Sequence, residues 1–239
     1  MAEAADISSW MKKIVEQSGC RGIAVGLSGG IDSAVTSVLA QMAMGDNVLG
    51  VIMPCGSNPE DAEHALNCAK QFGIETEYID LTPVFETLTS LLPDGSPLAN
   101  ANLKPRLRMM TLYYFANTLG YLVAGTGNKS ELSIGYFTKY GDGGVDMLPL
   151  AGLLKIEVRE LAEELEIPRE IIDKPPSAGL WEGQTDENEM GFTYDELDRV
   201  IAKTEKGGFT PQTKVETMIV KMMERSEHKY RPIPKFEPE

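Results

Sequence analysis

Residues 22–34 read GIAVGLSGGIDSA. Ile23-Ala24-Val25 is an apolar run suited to a buried strand. Downstream, Ala34, Val35, Val38, Leu39 and Met42 recur at helical spacing. Between the two lie Gly29 and Gly30, bracketed by Ser28 and by Asp32 and Ser33. The pattern predicts a strand, a tight glycine turn and a helix, with backbone N–H groups gathered at a helix N-terminus where an anion can bind. The turn is not a Walker A loop, which places Lys directly before Ser or Thr; Ile31-Asp32 stands there instead. Nor is it a dinucleotide fingerprint: G-x-G-x-x-G is absent here, and Gly125-Thr126-Gly127 lacks the third glycine. A purely structural turn accounts for the glycines. It leaves the hydroxyls of Ser28 and Ser33 and the hard oxygens of Asp32 without a task. A nucleotide pyrophosphate with Mg²⁺ uses all of them.

The same strand-then-helix pattern repeats along the first half of the chain. Apolar, β-rich runs occupy residues 22–28, 48–53, 76–81 and 122–125, with helical patterns at 60–72 and 107–119. This alternation predicts an α/β fold: a Rossmann-like, doubly wound sheet of about five parallel strands with helices on both faces. In such sheets ligands bind beyond the carboxyl ends of the strands, and GLSGG lies at one. After residue 150 the periodicity is helical, over 155–165, 194–204 and 214–223. The intervening 174–193, KPPSAGLWEGQTDENEMGFT, is rich in Gly, Pro and acids and has no period, so it reads as a loop. No internal repeat interrupts this scheme, and residues 1–239 read as one domain.

Composition narrows the partners. The chain carries 36 acidic against 22 Lys and Arg residues, a net charge of −14, which argues against nucleic-acid binding. No apolar run approaches the roughly 20 residues of a membrane span, and the N-terminal segment has no signal-peptide pattern, so a cytoplasmic, membrane-free protein is expected. Cys20, Cys55 and Cys68 show no CxxC spacing and no zinc-site pattern, and read as reduced thiols in or near the core.

SGGIDS, at 28–33, resembles the SGGxDS signature of the ATP pyrophosphatases, which cleave ATP between the α and β phosphates. That signature alone leaves several ligases open. Four further stretches narrow the choice: GTGNKSE at 125–131, FTKYGDGGVDMLPLAGLLK at 137–155, PPSAGLWEGQTDE at 175–187 and SEHKY at 226–230. Together and in this order they are similar to the NAD synthetase family, over roughly residues 8–232. The resemblance implies an ATP-pyrophosphatase-type fold. It also implies that ATP adenylates the nicotinate carboxylate of deamido-NAD, and that ammonia then displaces AMP to give NAD.

Residue by residue, the resemblance implies an ATP site of Gly26, Leu27, Ser28, Gly29, Gly30, Ile31, Asp32 and Ser33, with Thr126, Lys155 and Ser177. It implies Mg²⁺ held by Asp32 and Glu131, and a deamido-NAD site of Arg106, Lys139, Asp142, Asp146, His228 and Lys229. Asp32, Lys155 and Asp146 are the implied catalytic residues. Lys155 opens a helical pattern, the unfavourable end of the dipole for a cation, which favours an anionic partner nearby. Residues 174–193 correspond to a mobile lid. The resemblance also implies a homodimer with the deamido-NAD site across the interface. Residues 10–15 and 107–119 are the expected partner faces, the latter through Met109, Met110, Tyr113 and Tyr114. The phosphate loop begins too early for a fused glutamine amidase, so free ammonia is the expected donor; a separate glutaminase partner is the lesser expectation, suggested by the form of GTGNKSE. Three other readings stay open at this stage. They are a tRNA-modifying ligase of the same superfamily, a partner domain like that of GMP synthetase, and a non-catalytic nucleotide-binding protein on this fold.

Overall fold

The computed structural model describes residues 4–177, 179–181 and 183–237. Its centre is a parallel sheet of four strands, β1 (Gly22–Leu27), β2 (Val48–Ile52), β3 (Glu75–Tyr78) and β4 (Tyr121–Ala124), in the order β3-β2-β1-β4. Helices α1 (Ala4–Ser18), α2 (Ile31–Met44), α3 (Pro59–Gln71), α4 (Thr82–Leu91), α5 (Pro97–Ala101) and α6 (Leu103–Leu119) precede and separate these strands. β1 alternates between two cores, which is the period-2 consequence of a strand covered on both faces. Ile23, Val25 and Leu27 pack with α1, α2 and α3, through Met11, Val35, Leu39 and Ala65. Ala24 packs on the opposite side with Leu107, Leu112 and Ala116 of α6.

The chain winds outward from β1 through β2 to β3, then returns to lay β4 on the other side of β1. The reversal of winding opens a crevice between the carboxyl ends of β1 and β4, where the two following loops diverge. The glycine loop after β1 and residues 125–128 after β4 line it.

A fifth strand is expected from the sequence, and it is reduced to one bridge, Ala124 to Met147. The N–H groups of Asp146 and Met147 both donate to the Val123 carbonyl. The Asp146 carboxylate itself accepts from Val123 N at 2.8 Å, taking the donor a longer strand would pair. Pro149, two residues on, has no N–H to continue a ladder.

The remainder is helical: α7 (Lys129–Ile134), α8 (Lys155–Glu164), α9 (Arg169–Ile172), α10 (Asp186–Met190), α11 (Tyr194–Glu205) and α12 (Lys214–Ser226), ending in a 3₁₀ turn at Glu227–Lys229. A third core joins Ile134 of α7 to Met190, Leu197, Ile201 and Ile219. Residues 174–193, read as a loop and likened to a lid, contain α10; five residues are too few to show a period. Ala178 and Glu182 of that segment, like residues 1–3, lie outside the described residues. Cys55 and Cys68 are buried and Cys20 half-buried, all as thiols. Among the described residues no helix is long and apolar enough to cross a membrane.

The glycine turn is held from the side by α3. Gly29 has φ +74°, and a Cβ there would lie 2.1 Å from the Asp61 carbonyl oxygen in the first turn of α3. Gly29→Ala therefore imposes both left-handed strain and a collision with backbone. The expected result is a loss of about 2 kcal/mol or more, read as a fall in Tm of roughly 5 °C in thermal unfolding. A Tm within about a degree of wild type would show that the loop and α3 part without cost.

Candidate active site

The loop after β1 is braced by its own hydroxyls. Ser33 Oγ donates to the Gly30 carbonyl at 2.8 Å and accepts from Ser28 N at 3.2 Å, while Gly30 N donates to Ser28 Oγ at 3.3 Å. No side chain caps α2, because its N-cap is Gly30. The positive end of its dipole is left for a ligand rather than for a protein carboxylate. Asp32, in the first turn, is turned toward the crevice.

α7 is capped in the opposite way. Asn128 accepts from Glu131 N through its side-chain oxygen at 3.0 Å, and Glu131 Oε2 accepts from Asn128 N at 3.3 Å, a reciprocal capping box. The Asn128 amide then reaches across the crevice and donates to Asp32 Oδ1 at 2.8 Å. Lys155, the first residue of α8, closes the group. Its Nζ donates to Asp32 Oδ2 at 2.5 Å and to Glu131 Oε1 at 3.2 Å. It also lies 5.0 Å from the centroid of the Tyr194 ring. Burial disfavours the ammonium, yet the two carboxylates outweigh burial and raise the Lys155 pKa. Burial first, then the Asp32 charge, push the Glu131 carboxyl up; Lys155 opposes them.

Asp186, on α10, completes this end. It accepts from Tyr194 Oη at 2.9 Å and from Tyr136 Oη at 3.1 Å. One ammonium thus stands among three carboxylates, and such a group can accept a further cation. Asp32 and Glu131 present hard oxygens suited to Mg²⁺. Among the described residues no cluster of three or more His, Cys, Asp or Glu side chains could hold a metal unaided. The donor set therefore fits a Mg²⁺ that takes its remaining ligands from substrate phosphate and water.

The residues matched to the second substrate form another group. Arg106 Nη2 donates to the Lys139 carbonyl at 3.5 Å, and Lys139 Nζ donates to the His228 carbonyl at 2.9 Å. Lys229 Nζ donates to the carbonyls of Gly135 and Phe137, and Asp142 Oδ1 accepts from Thr138 N. Loop 135–144 is thereby clasped between α6 and the chain's final turn. Asp146 is not part of this group: it sits at the sheet edge, bound to Val123 N and to Tyr113 Oη at 3.0 Å. Thr126 lies in the loop after β4. Ser177 is exposed, and among the described residues its hydroxyl makes a local turn bond, accepting from Gly179 N.

Several residues of the crevice were not singled out from sequence. Asn128 could have been, since N-x-x-E before an apolar run signals a capping box. Tyr194, Asp186, Lys104 and Arg108 carry no such signal. Lys104 is buried and donates to the Leu180 carbonyl at 2.7 Å; Arg108 donates to the Met53 carbonyl at 3.1 Å and to Ser57 Oγ at 3.2 Å. Both bring positive charge to the carboxyl end of β2. Lys174 pairs with Asp61, so segment 174–193 is tied to α3, α6 and α11 at once.

Known proteins are similar to this chain along nearly its whole length. The family model described as NAD synthase matches residues 3–233. The chain is 48% identical over 228 residues to the NH(3)-dependent NAD(+) synthetase of Carboxydothermus hydrogenoformans, covering 93% of this chain and 92% of that one. The NMN synthetase structure from Francisella tularensis superposes with a TM-score of 0.90 at 38% identity, covering 97% and 96% of the two chains. The NH3-dependent NAD synthetase of Campylobacter jejuni, solved with nitrate, gives a TM-score of 0.84 at 27% identity over 98% and 97%. The family model over residues 3–233, joined to 48% identity over more than nine-tenths of both chains, places the chain in the NAD synthase family.

Proposed function

We propose that the protein is an ammonia-dependent NAD synthetase, a ligase that forms a C–N bond using ATP. The observation that carries the reading is the meeting of Lys155, Asp32 and Glu131 beside an uncapped helix N-terminus. In the first step a carboxylate oxygen of the nicotinate group of deamido-NAD attacks the α-phosphorus of ATP. The bond from that phosphorus to the bridging oxygen breaks and pyrophosphate leaves. In the second, the nitrogen of ammonia attacks the activated carbonyl carbon, AMP departs, and one proton is lost to give the amide of NAD.

Residues 26–33 hold the phosphates through backbone N–H groups and the Ser28 and Ser33 hydroxyls. Thr126 and Ser177 add hydroxyls from the β4 loop and from segment 174–193. Lys155 neutralises charge that grows on the departing pyrophosphate. Asp32 and Glu131 are the residues that hold Mg²⁺, which when bound withdraws electron density from the phosphoryl oxygens. Arg106, Lys139, His228 and Lys229 bring cationic groups to the anionic dinucleotide, and Asp142, in the loop they clasp, faces its pyridinium end; Asp146, held at the sheet edge by Val123 N and Tyr113 Oη, has no part in that contact within one chain. Residues 174–193 act as a lid that excludes water from the reactive adenylate.

A second copy of the chain completes the second substrate's site in this reading. α4 has no buried residue, and its exposed Leu91 (78%) lies in the same segment as exposed Leu92 and Leu98. Met110 and Tyr114 (68%) are exposed on α6. These residues suit burial against a partner. On α1, by contrast, Met11 and Val15 are spent on the chain's own core, leaving Trp10 as its large exposed apolar group.

The likeness to an NMN synthetase favours a second reading, in which the acceptor is the acid of that product, nicotinate mononucleotide. The deciding assay supplies ATP, Mg²⁺ and ammonium with either acid. NAD from deamido-NAD at the higher kcat/KM is expected; a reversal assigns the mononucleotide, and no amide from either overturns the ligase reading. Glutamine in place of ammonium is expected to give no product with the pure protein. Asp32→Ala is expected to stay folded and to lose pyrophosphate release by on the order of 10²–10³-fold; normal turnover would remove the metal assignment. Tyr114→Glu is expected to convert a dimer to monomer in light scattering and to raise KM for the acid. A variant that stays dimeric with unchanged constants would place the interface elsewhere.

A further inference from the structure

Lys155 is the first residue of α8, so whatever fixes the first turn of that helix fixes the ammonium. Leu154 N donates to Glu157 Oε2 at 2.7 Å, within the helix's own first turn. The next two donors go outside it. Lys155 N donates to Ser130 Oγ at 2.9 Å, and Ile156 N donates to Asp198 Oδ2 at 3.2 Å. The Ser130 hydroxyl in turn donates to Asp198 Oδ1. Ser130 is fully buried and Asp198 is 6% exposed, and no Lys, Arg or His pairs with Asp198 among the described residues.

A buried carboxylate with no cation is costly unless its lone pairs are taken up by donors. Asp198 spends its two oxygens on two different segments. One reaches α8 beside Lys155; the other reaches α7 through Ser130, the residue directly before Glu131. A cap serving α8 alone would need only the Ile156 bond. Asp198 instead ties together the two backbones that deliver Lys155 and Glu131 to Asp32. It does so from α11, whose first residue, Tyr194, supplies the ring beside the Lys155 ammonium.

We infer that Ser130 and Asp198 are positioning residues. They act through the starts of α7 and α8 to set Lys155 and Glu131 against Asp32, and so to present the ammonium to the ATP phosphates. This rests on the reading of Lys155 as the phosphate-neutralising group.

The test measures kcat, KM for ATP and ATP affinity by titration calorimetry, well below each variant's melting temperature. Asp198→Ala is expected to lower kcat/KM for ATP by about ten- to a hundredfold, the scale seen for groups that orient ligands. KM for deamido-NAD is expected to stay within about twofold. Asp198→Asn keeps an acceptor for Ile156 N and can donate to Ser130 Oγ, so it is expected to return to within about threefold of wild type. In a Lys155→Met background the effect of Asp198→Ala on ATP affinity is expected to vanish, since residues that act through one another are not additive. Wild-type constants in Asp198→Ala despite a lowered Tm would overturn the proposal, as would an undiminished loss in the Lys155→Met background. If Asp198→Ala is insoluble, Ser130→Ala decides on the same readouts, and wild-type constants there would overturn it. Lys155→Met alone with normal ATP affinity and turnover would instead sink the underlying reading of Lys155.

Discussion

A single ammonium set between two carboxylates organises the active end of this protein. Asp32 and Glu131 come from the first turns of α2 and α7, the helices that follow β1 and β4, and Lys155 from a helix that follows the sheet altogether. All three side chains are 12–16% exposed. At that depth two like charges repel strongly, and leaving either unpaired costs several kcal/mol. The lysine makes the pair tolerable, and the pair makes the lysine tolerable, because attraction to both carboxylates exceeds what burial takes from it. Burial pushes the Glu131 and Asp186 carboxyls up, and a dication placed beside them would favour their charged forms.

The helices that meet there are treated unequally, and the inequality has a use. α7 is capped by Asn128 and Glu131, and α8 by Glu157, Ser130 and Asp198. α2 has glycine at its N-cap and no side chain on its first N–H groups. Capping the first two satisfies donors that would otherwise compete for a ligand. The third end is left open, the arrangement by which helix N-termini can take an anion. Segment 174–193 is anchored at three points, by Lys174 to Asp61, by the Leu180 carbonyl to Lys104 and by Asp186 to Tyr194. Asp61 also presses its carbonyl on Gly29, so the same turn of α3 touches both the phosphate loop and the segment above it.

Where the sequence reading succeeds or fails follows from packing. The runs at 22–28 and 48–53 are legible because β1 and β2 are buried on both faces, which makes them almost continuously apolar. β3 is shorter than the run that suggested it, Glu75–Tyr78 against 76–81, because it is an exposed edge. Leu66, Met110, Ile156 and Met218 sit on helices at the expected period but are exposed. Periodicity locates an apolar stripe, and the neighbour that covers it is a property of the whole molecule. The expectation of about five strands is met by four and a single bridge, shortened for a local reason: the Asp146 carboxylate takes the Val123 N–H.

Local chemistry written in consecutive residues was enough for the α/β class, the glycine turn and several helix starts. Each of these depends on interactions within about a dozen residues, such as a glycine that tolerates φ +74° or an Asn three residues before a Glu. The crevice itself was out of reach of such reasoning. Asp32 and Lys155 are 123 residues apart, and Ser130 and Asp198 are 68. A buried acid such as Asp198 looks like any other acid on an amphipathic helix until α7 and α8 are laid against it. Only folding removes water from these side chains, and their charges and hydrogen bonds acquire their strength from that removal.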